Sequence, residues 1–184
     1  MYLLKQNIQL IYRNFFLQDK HLTIIVLISH YIGNIIIGII FRNYHYSYTK
    51  DNIKFKLNES KPIGDVLSKS IKDSIETLLL ILGSISLFSF FIIIIKKMFS
   101  FNDITLSIIS GLLEMTNGLN LVSLLTIPMK YKIVISSMML SFGGLSIHIQ
   151  IKSILSDTDI KYIPYLLSRI IHSIISGIIA FIIQ

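Results

Sequence analysis

The sequence predicts an all-α, polytopic transmembrane helix bundle of about five spans, with amphipathic interfacial helices and one or two broken helices. Three observations carry that prediction. Charged residues make up 15% of the 184 residues and hydrophobic ones 53%, and the mean hydropathy is +0.70. A soluble domain carries about 25% charged residues, so the missing charge implies a non-aqueous solvent. Isoleucine- and leucine-rich runs recur at lengths near those needed, at about 1.5 Å per residue, to cross a hydrocarbon core of about 30 Å. Between the runs lie polar stretches rich in Lys and Arg. Residues 1–184 are read as one integral membrane domain in a multi-pass cell-membrane protein.

The chain contains no cysteine, so it has neither a disulfide framework nor a thiolate metal site. Its formal charge of +7 is spread over many loops. That spread fits loops beside anionic lipid and not a nucleic-acid patch, which clusters Lys and Arg on one solvated face. The bilayer is the expected partner, with no cofactor and no metal.

Residues 1–20 are read as an interfacial helix or a linker. Leu4, Ile8, Ile11 and Phe15 recur at helical spacing, with Lys5, Gln9 and Arg13 elsewhere, and no signal-peptide pattern is visible there. The first span is placed at 21–41. Within it His30, Asn34 and Gly38 step by four along one face and Gly33 sits beside them, a pattern read as helix packing. Residues 42–76 form a polar loop and an amphipathic helix. Tyr44, Tyr46 and Tyr48 alternate with polar residues, which suggests a short extended element with rings at headgroup level. From Pro62 a stripe of Ile63, Val66, Leu67, Ile71 and Ile75 predicts a helix lying at the membrane surface. It runs into a second span at 77–95, which Lys96 and Lys97 end.

The third span, 104–125, carries Glu114 about 15 Å in, with Asn117 and Gly118 one turn further along. A carboxylate at that depth must be paired, protonated or hydrated. Pro128, Lys130 and Lys132 mark a turn, and a fourth span at 133–150 breaks at Gly143 and Gly144 before His148 and Gln150. Paired glycines allow unwinding, which hydrocarbon tolerates only where protein or water satisfies the freed backbone groups. Asp157 and Asp159 read as solvated loop acids. The last span, 164–183, carries Tyr165, Arg169, His172 and Ser176 as one polar stripe, with Ser173 and Gly177 as a small packing surface.

Glu114 and Arg169 are the sharpest constellation and are expected to approach each other inside the bundle. His30, His148, His172 and Glu114 could ligate a metal, but no two of the histidines share the i, i+4 spacing of a helical metal site. There is no G-x-S-x-G elbow and no phosphate-binding loop, so no enzyme activity is expected. If every span crosses, one side collects Lys5, Arg13, Lys20, Lys96, Lys97, Lys152 and Lys161. The other collects Arg42, Lys50, Lys54, Lys56, Lys61, Lys69, Lys72, Lys130 and Lys132, and seven against nine does not decide orientation.

The stretches HYIGNIIIGIIFR at 30–42, SKSIKDSIETLLLILGSISLFS at 68–89, GLLEMTNGLN at 111–120 and SFGGLSIHIQIKSILSDTDIKYIPYLLSRIIH at 141–172 resemble the sporulation integral membrane protein family of the YlbJ type. That family sits within a wider nucleoside-recognition or gate-domain group. The resemblance implies a bacterial membrane protein of endospore formation, associated with the spore cortex, and movement or recognition of a small solute. The positions that fall in its motifs are Glu114, Thr116, Gly118, Gly143, Gly144, Ser146, Gln150, Tyr165 and Arg169. Members are about twice this length, so the chain corresponds to a C-terminal half, and a central cavity would need a second copy or a partner chain to close. The first expectation is a transporter-like protein with a site formed by Glu114, Thr116, Asn117, Gly118, Gly143, Gly144, Ser146, His148, Gln150, Arg169 and His172. The alternative is a membrane scaffold that moves nothing. A transporter needs polar groups converging on a midplane cavity, whereas a scaffold can satisfy them pairwise in a dry bundle.

Overall fold

The structure is a computed structural model that describes residues 20–44, 62–156, 158 and 160–184. The expected elements at 1–19 and around Tyr46 and Tyr48, and the acids Asp157 and Asp159, lie outside the described residues. All regular structure among the described residues is helical: α1 (Lys20–Phe41), α2 (Ile63–Met98), α3 (Asp103–Leu113), α4 (Met115–Leu124), α5 (Met129–Phe142), α6 (Gly144–Leu155) and α7 (Tyr162–Ile183). Four stretches are long and apolar enough to cross a membrane: Leu22–Phe41, Ile63–Met98, Met129–Leu155 across the α5–α6 joint, and Tyr162–Ile183. The protein is a multi-pass membrane protein.

The amphipathic helix expected at the membrane surface and the second span are one uninterrupted helix of 36 residues. At about 1.5 Å per residue α2 is about 54 Å long, well beyond the hydrocarbon thickness. No proline interrupts it after Pro62. The hydroxyls of Ser70, Ser74 and Thr77 each donate to the carbonyl four residues back, which keeps these polar groups inside the helix's own hydrogen bonding. Only Ser84, Phe88 and Ile92, one per turn on a single face, are buried.

Where the sequence predicts a third span at 104–125, the chain makes two short helices that fold back on each other. Glu114 takes an extended backbone, φ −144 and ψ 115, and ends α3 while starting α4. A Cβ at Gly118 would run into the Gly111 backbone, a proximity that a straight helix seven residues apart cannot give. The 11 and 10 residues of the two arms reach only about 16 and 15 Å, roughly half the core. The hairpin therefore re-enters, and α5 begins on the side where α2 ends. Lys130 and Lys132 thereby join Lys96 and Lys97, while Lys152 and Lys161 join Arg42, Lys69 and Lys72, which rearranges the sides expected from five crossings.

Helices α1, α5 and α7 pack as a trio around Ile25, Val26, Ile133 and Ala180. Helix α7 runs antiparallel to α5, pairing Ser173 with Met138 and Phe181 with Lys130. A second cluster, Leu119, Val122, Leu125 and Met139, ties α4 to the other face of α5. Helix α6 packs mainly on α2 and α3. The α5–α6 joint is thus where the chain passes from one group of helices to the other. Gly33 on α1 fits the close-packing expectation, since a Cβ there would lie 2.6 Å from Ser176 Oγ and 2.7 Å from His172 Cδ2. Gly38 does not: it is exposed, with nothing within 4 Å of where a Cβ would stand. Steps of four overshoot a 3.6-residue turn, so a position eight residues past His30 has rotated about 80° round the helix.

Candidate functional site

The Glu114 carboxylate is only 2% exposed and is held by its own downstream turn. Oε1 accepts from the Thr116 amide at 3.1 Å. Oε2 accepts from the Thr116 hydroxyl at 2.6 Å, the Asn117 amide at 2.8 Å and Asn117 Nδ2 at 3.0 Å. The side chain is the N-cap of α4, so a negative charge meets the free amides at the positive end of a helix. Asn117 Nδ2 also donates to Ser89 Oγ on α2 at 2.7 Å. Ser89 is not among the expected residues; it lies in a run of scattered serines that carries no positional signal.

The glycine pair forms the second break. Gly143 and Gly144 have φ of 91 and 74, the left-handed region that residues with a Cβ enter only at a cost. Gly143 ends α5, its amide donating to Met139 O at 2.9 Å. Gly144 lies against the hairpin tip, where a Cβ would meet Gly111 O and Met115 N at 3.1 Å and Glu114 Cα at 3.4 Å. The amino end of α6 thereby abuts the carbonyl end of α3, two helix ends of opposite partial charge.

Arg169 stands on the other side of the same joint. Its Nε donates to Phe142 O, the last carbonyl of α5, at 3.5 Å, and its Nη2 lies 3.5 Å from where a Cβ at Gly143 would be. A guanidinium at a helix carboxyl end is the counterpart of Glu114 at a helix amino end. The expected Glu114–Arg169 ion pair does not form: the carboxylate is engaged by Thr116 and Asn117, the guanidinium by Phe142 O and His172. Four half-helix ends meet here, and each charged residue neutralises one of them.

The remaining expected residues separate. His172 Nδ1 faces Arg169 Nη1 at 3.4 Å and its Nε2 faces His30 O at 3.0 Å. The His30 and His172 rings are 4.8 Å apart, and His30 Nδ1 lies 3.1 Å from Ser141 Oγ. The α1 residues read as mere packing, His30 and Asn34, therefore adjoin the Arg169 stripe, with Asn34 Nδ2 3.2 Å from His30 Nε2. His148 instead bonds Tyr162 Oη at 2.7 Å, and its ring lies tilted against that of Phe142 with centroids 4.6 Å apart. Gln150 reaches α2, donating to Ser84 Oγ at 2.6 Å. Ser173 donates to Met138 O across the α5–α7 contact, and Gly177 packs on the Met138 side chain. The buried hydroxyls of Ser110, Ser136, Ser137 and Ser146 have no hydrogen-bond partner among the described residues. No three His, Asp or Glu side chains among the described residues converge as metal ligands.

Two cavities flank α5, one of about 170 Å³ between Ile108, Leu112, Met138, Met139 and Phe142, the other of about 290 Å³ between Val134, Met138, Ile174 and Phe181. The second is walled by apolar side chains and the first by apolar side chains with Ser173 among them, and Glu114 lines neither.

Among curated proteins, the chain is similar to the sporulation integral membrane protein YlbJ of Bacillus subtilis (strain 168), with 28% identity over 198 aligned residues covering 89% of this chain and 48% of that protein. The region matched is its C-terminal half, so the chain spans about half the length of the curated relative it matches. The resemblance read from the four sequence stretches is borne out by this similarity. No family model matches the chain, and no solved structure matches it significantly.

Proposed function

We propose that the chain is a transporter-like component of the membrane of a sporulating bacterium, in which a small solute passes the crossing of the two broken helices. The reading is supported above all by one observation: the Gly143–Gly144 break touches the Glu114 break, with Arg169 on the opposite side of the glycines. A bundle that only anchors needs no buried carboxylate and no interrupted helices at depth. Oriented half-helix ends at mid-membrane are the usual means of holding a solute or ion. The relative's name supports the sporulation context, and a contribution to the spore cortex is part of the proposal. No reaction is assigned to the chain, and the Ser141–His30 contact of 3.1 Å is read as part of the polar packing between α1 and α5. The solute path is completed by a second copy or by a partner chain that supplies the half of the relative this chain does not match.

A second reading, a scaffold for envelope-building machinery, is favoured by a different observation. Glu114, Arg169, His172 and Gln150 are each hydrogen-bonded within the bundle, and the two cavities beside α5 are mostly apolar. Solute uptake into vesicles separates the two. Flux that the parent chain supports, alone or with a partner half, and that Glu114→Gln abolishes supports the transporter. Absence of flux for every candidate solute favours the scaffold.

A further inference from the structure

Arg169 and His172 lie one turn apart on α7, and their contact fixes the protonation of the histidine. A guanidinium only donates hydrogen bonds, so the His172 Nδ1 facing Arg169 Nη1 at 3.4 Å is the ring's lone-pair nitrogen. A backbone carbonyl only accepts, so the Nε2 facing His30 O at 3.0 Å carries the hydrogen. His172, 1% exposed, is thus held as the neutral Nε2–H tautomer. His30 is held in the opposite one: Asn34 Nδ2 donates to its Nε2 and its Nδ1–H is left to donate to Ser141 Oγ.

We propose that His172 is a proton-binding site whose occupancy releases Arg169 from the α5–α6 joint. The inference rests on the transporter reading, for which it names the coupling ion. A proton arriving at Nδ1 removes the acceptor that Arg169 uses and sets an imidazolium against a guanidinium. Arg169 holds the joint by one other contact, the 3.5 Å bond from Nε to Phe142 O. Both contacts are long, and a small displacement breaks them. Once the guanidinium moves away, the last carbonyl of α5 loses its cation and the glycine pair loses the group packed against Gly143. The other groups that face this cluster are few. From α1 comes His30, with its ring 4.8 Å away; from α5 come the Ser141 hydroxyl and the Phe142 carbonyl. From α6 comes His148, its ring in tilted contact with Phe142, and from α7 Tyr165, whose ring lies 5.6 Å from that of His148. Glu114 is the carboxylate beyond Gly144. None of these removes the conflict between two cations at His172.

The experiment uses the absence of native cysteine. Spin labels are placed through Lys152→Cys on α6 and Leu167→Cys on α7, both exposed. Their separation is read in detergent or lipid between about pH 8 and about pH 5, which brackets the ordinary histidine value of about 6.5. In the parent background the distance shifts as pH falls, and ¹⁵N spectra show His172 passing from one to two protonated nitrogens. His172→Gln can still donate to His30 O and accept from Arg169 but cannot take a proton, so it keeps the high-pH distance throughout. Arg169→Gln, which removes the second cation, loses the shift as well and serves where His172→Gln does not fold. A shift that persists in either variant, or a His172 that stays neutral at about pH 5 in the parent, overturns the assignment. Neither readout requires flux, so solute uptake with an unresponsive His172 would overturn the proton site alone, and a responsive His172 without uptake would leave the transporter reading to fall by itself.

Discussion

Gly118 of α4 rests directly on the backbone of Gly111 of α3, with Met139 of α5 closing over both. The contact exists because neither residue has a side chain, and it is what allows the chain to reverse at Glu114. Gly118→Ala places a methyl group inside the Gly111 backbone, so the hairpin arms must separate. Overpacking of this kind typically costs about 1–3 kcal/mol. Thermal or denaturant unfolding in detergent should show a loss in that range, whereas Gly38→Ala, which meets open space within α1, should leave stability unchanged or raise it by up to about 1 kcal/mol. Equal effects at the two sites would contradict the hairpin.

The carboxylate at the hairpin tip is coupled to its own turn and not to Arg169. Asn117 donates to Glu114 twice, by backbone and side chain, and also ties the tip to Ser89. In a double-mutant cycle, Glu114→Gln and Asn117→Ala should therefore show an interaction energy of about 0.5–3 kcal/mol. The cycle of Glu114→Gln with Arg169→Gln should come out smaller, since those side chains share no hydrogen bond. A larger coupling to Arg169 than to Asn117 would restore the ion pair that the sequence suggested.

The contrast between the two breaks shows what a sequence carries and what it leaves out. The Gly143–Gly144 break was readable because positive φ selects glycine, and two glycines in a greasy run leave a local mark. The break at Glu114 has no glycine or proline at the turning residue. It is made by a carboxylate capping the next helix, and glutamate is an uncommon residue for that position. The available signal was indirect: Gly111 and Gly118 flank Glu114 symmetrically to within a residue, and Thr116 and Asn117 supply the donors. The spans at 21–41 and 164–183 were legible because burial in lipid needs only sustained hydropathy. The partner of Arg169 was not legible, because a backbone carbonyl such as that of Phe142 leaves no trace in residue identity. The same holds for Gln150, whose partner Ser84 is 66 residues away.

The left-handed backbone at Gly143 gives a third test. With φ of 91, any side chain is strained, and a Cβ would also approach Ile147 Cδ1 at 3.3 Å. Gly143→Ala should lower unfolding stability by about 1–2 kcal/mol. Asparagine tolerates this region better than alanine because its amide can bond locally, so Gly143→Asn should fold at least as well as Gly143→Ala despite its larger size. The reverse order would mean that space and not backbone conformation limits the site.

The re-entrant hairpin also fixes where the basic loops lie relative to one another. Helices α3 and α4 are each too short to cross, so the chain leaves the membrane on the side it entered. Lys97 at the end of α2 and Lys130 at the start of α5 then share a side. Arg42 after α1 and Lys152 near the end of α6 share the other. Because the chain has no cysteine, single replacements at these four positions can be labelled with a membrane-impermeant maleimide in intact cells without background. Lys97→Cys and Lys130→Cys should react alike, and Arg42→Cys and Lys152→Cys should react alike and opposite to the first pair. If 104–125 crossed as a single helix, Lys130→Cys would instead label together with Arg42→Cys, and Lys152→Cys together with Lys97→Cys. Both topologies place Lys97 and Arg42 on opposite sides, so whether Lys130→Cys labels with the one or with the other decides between them.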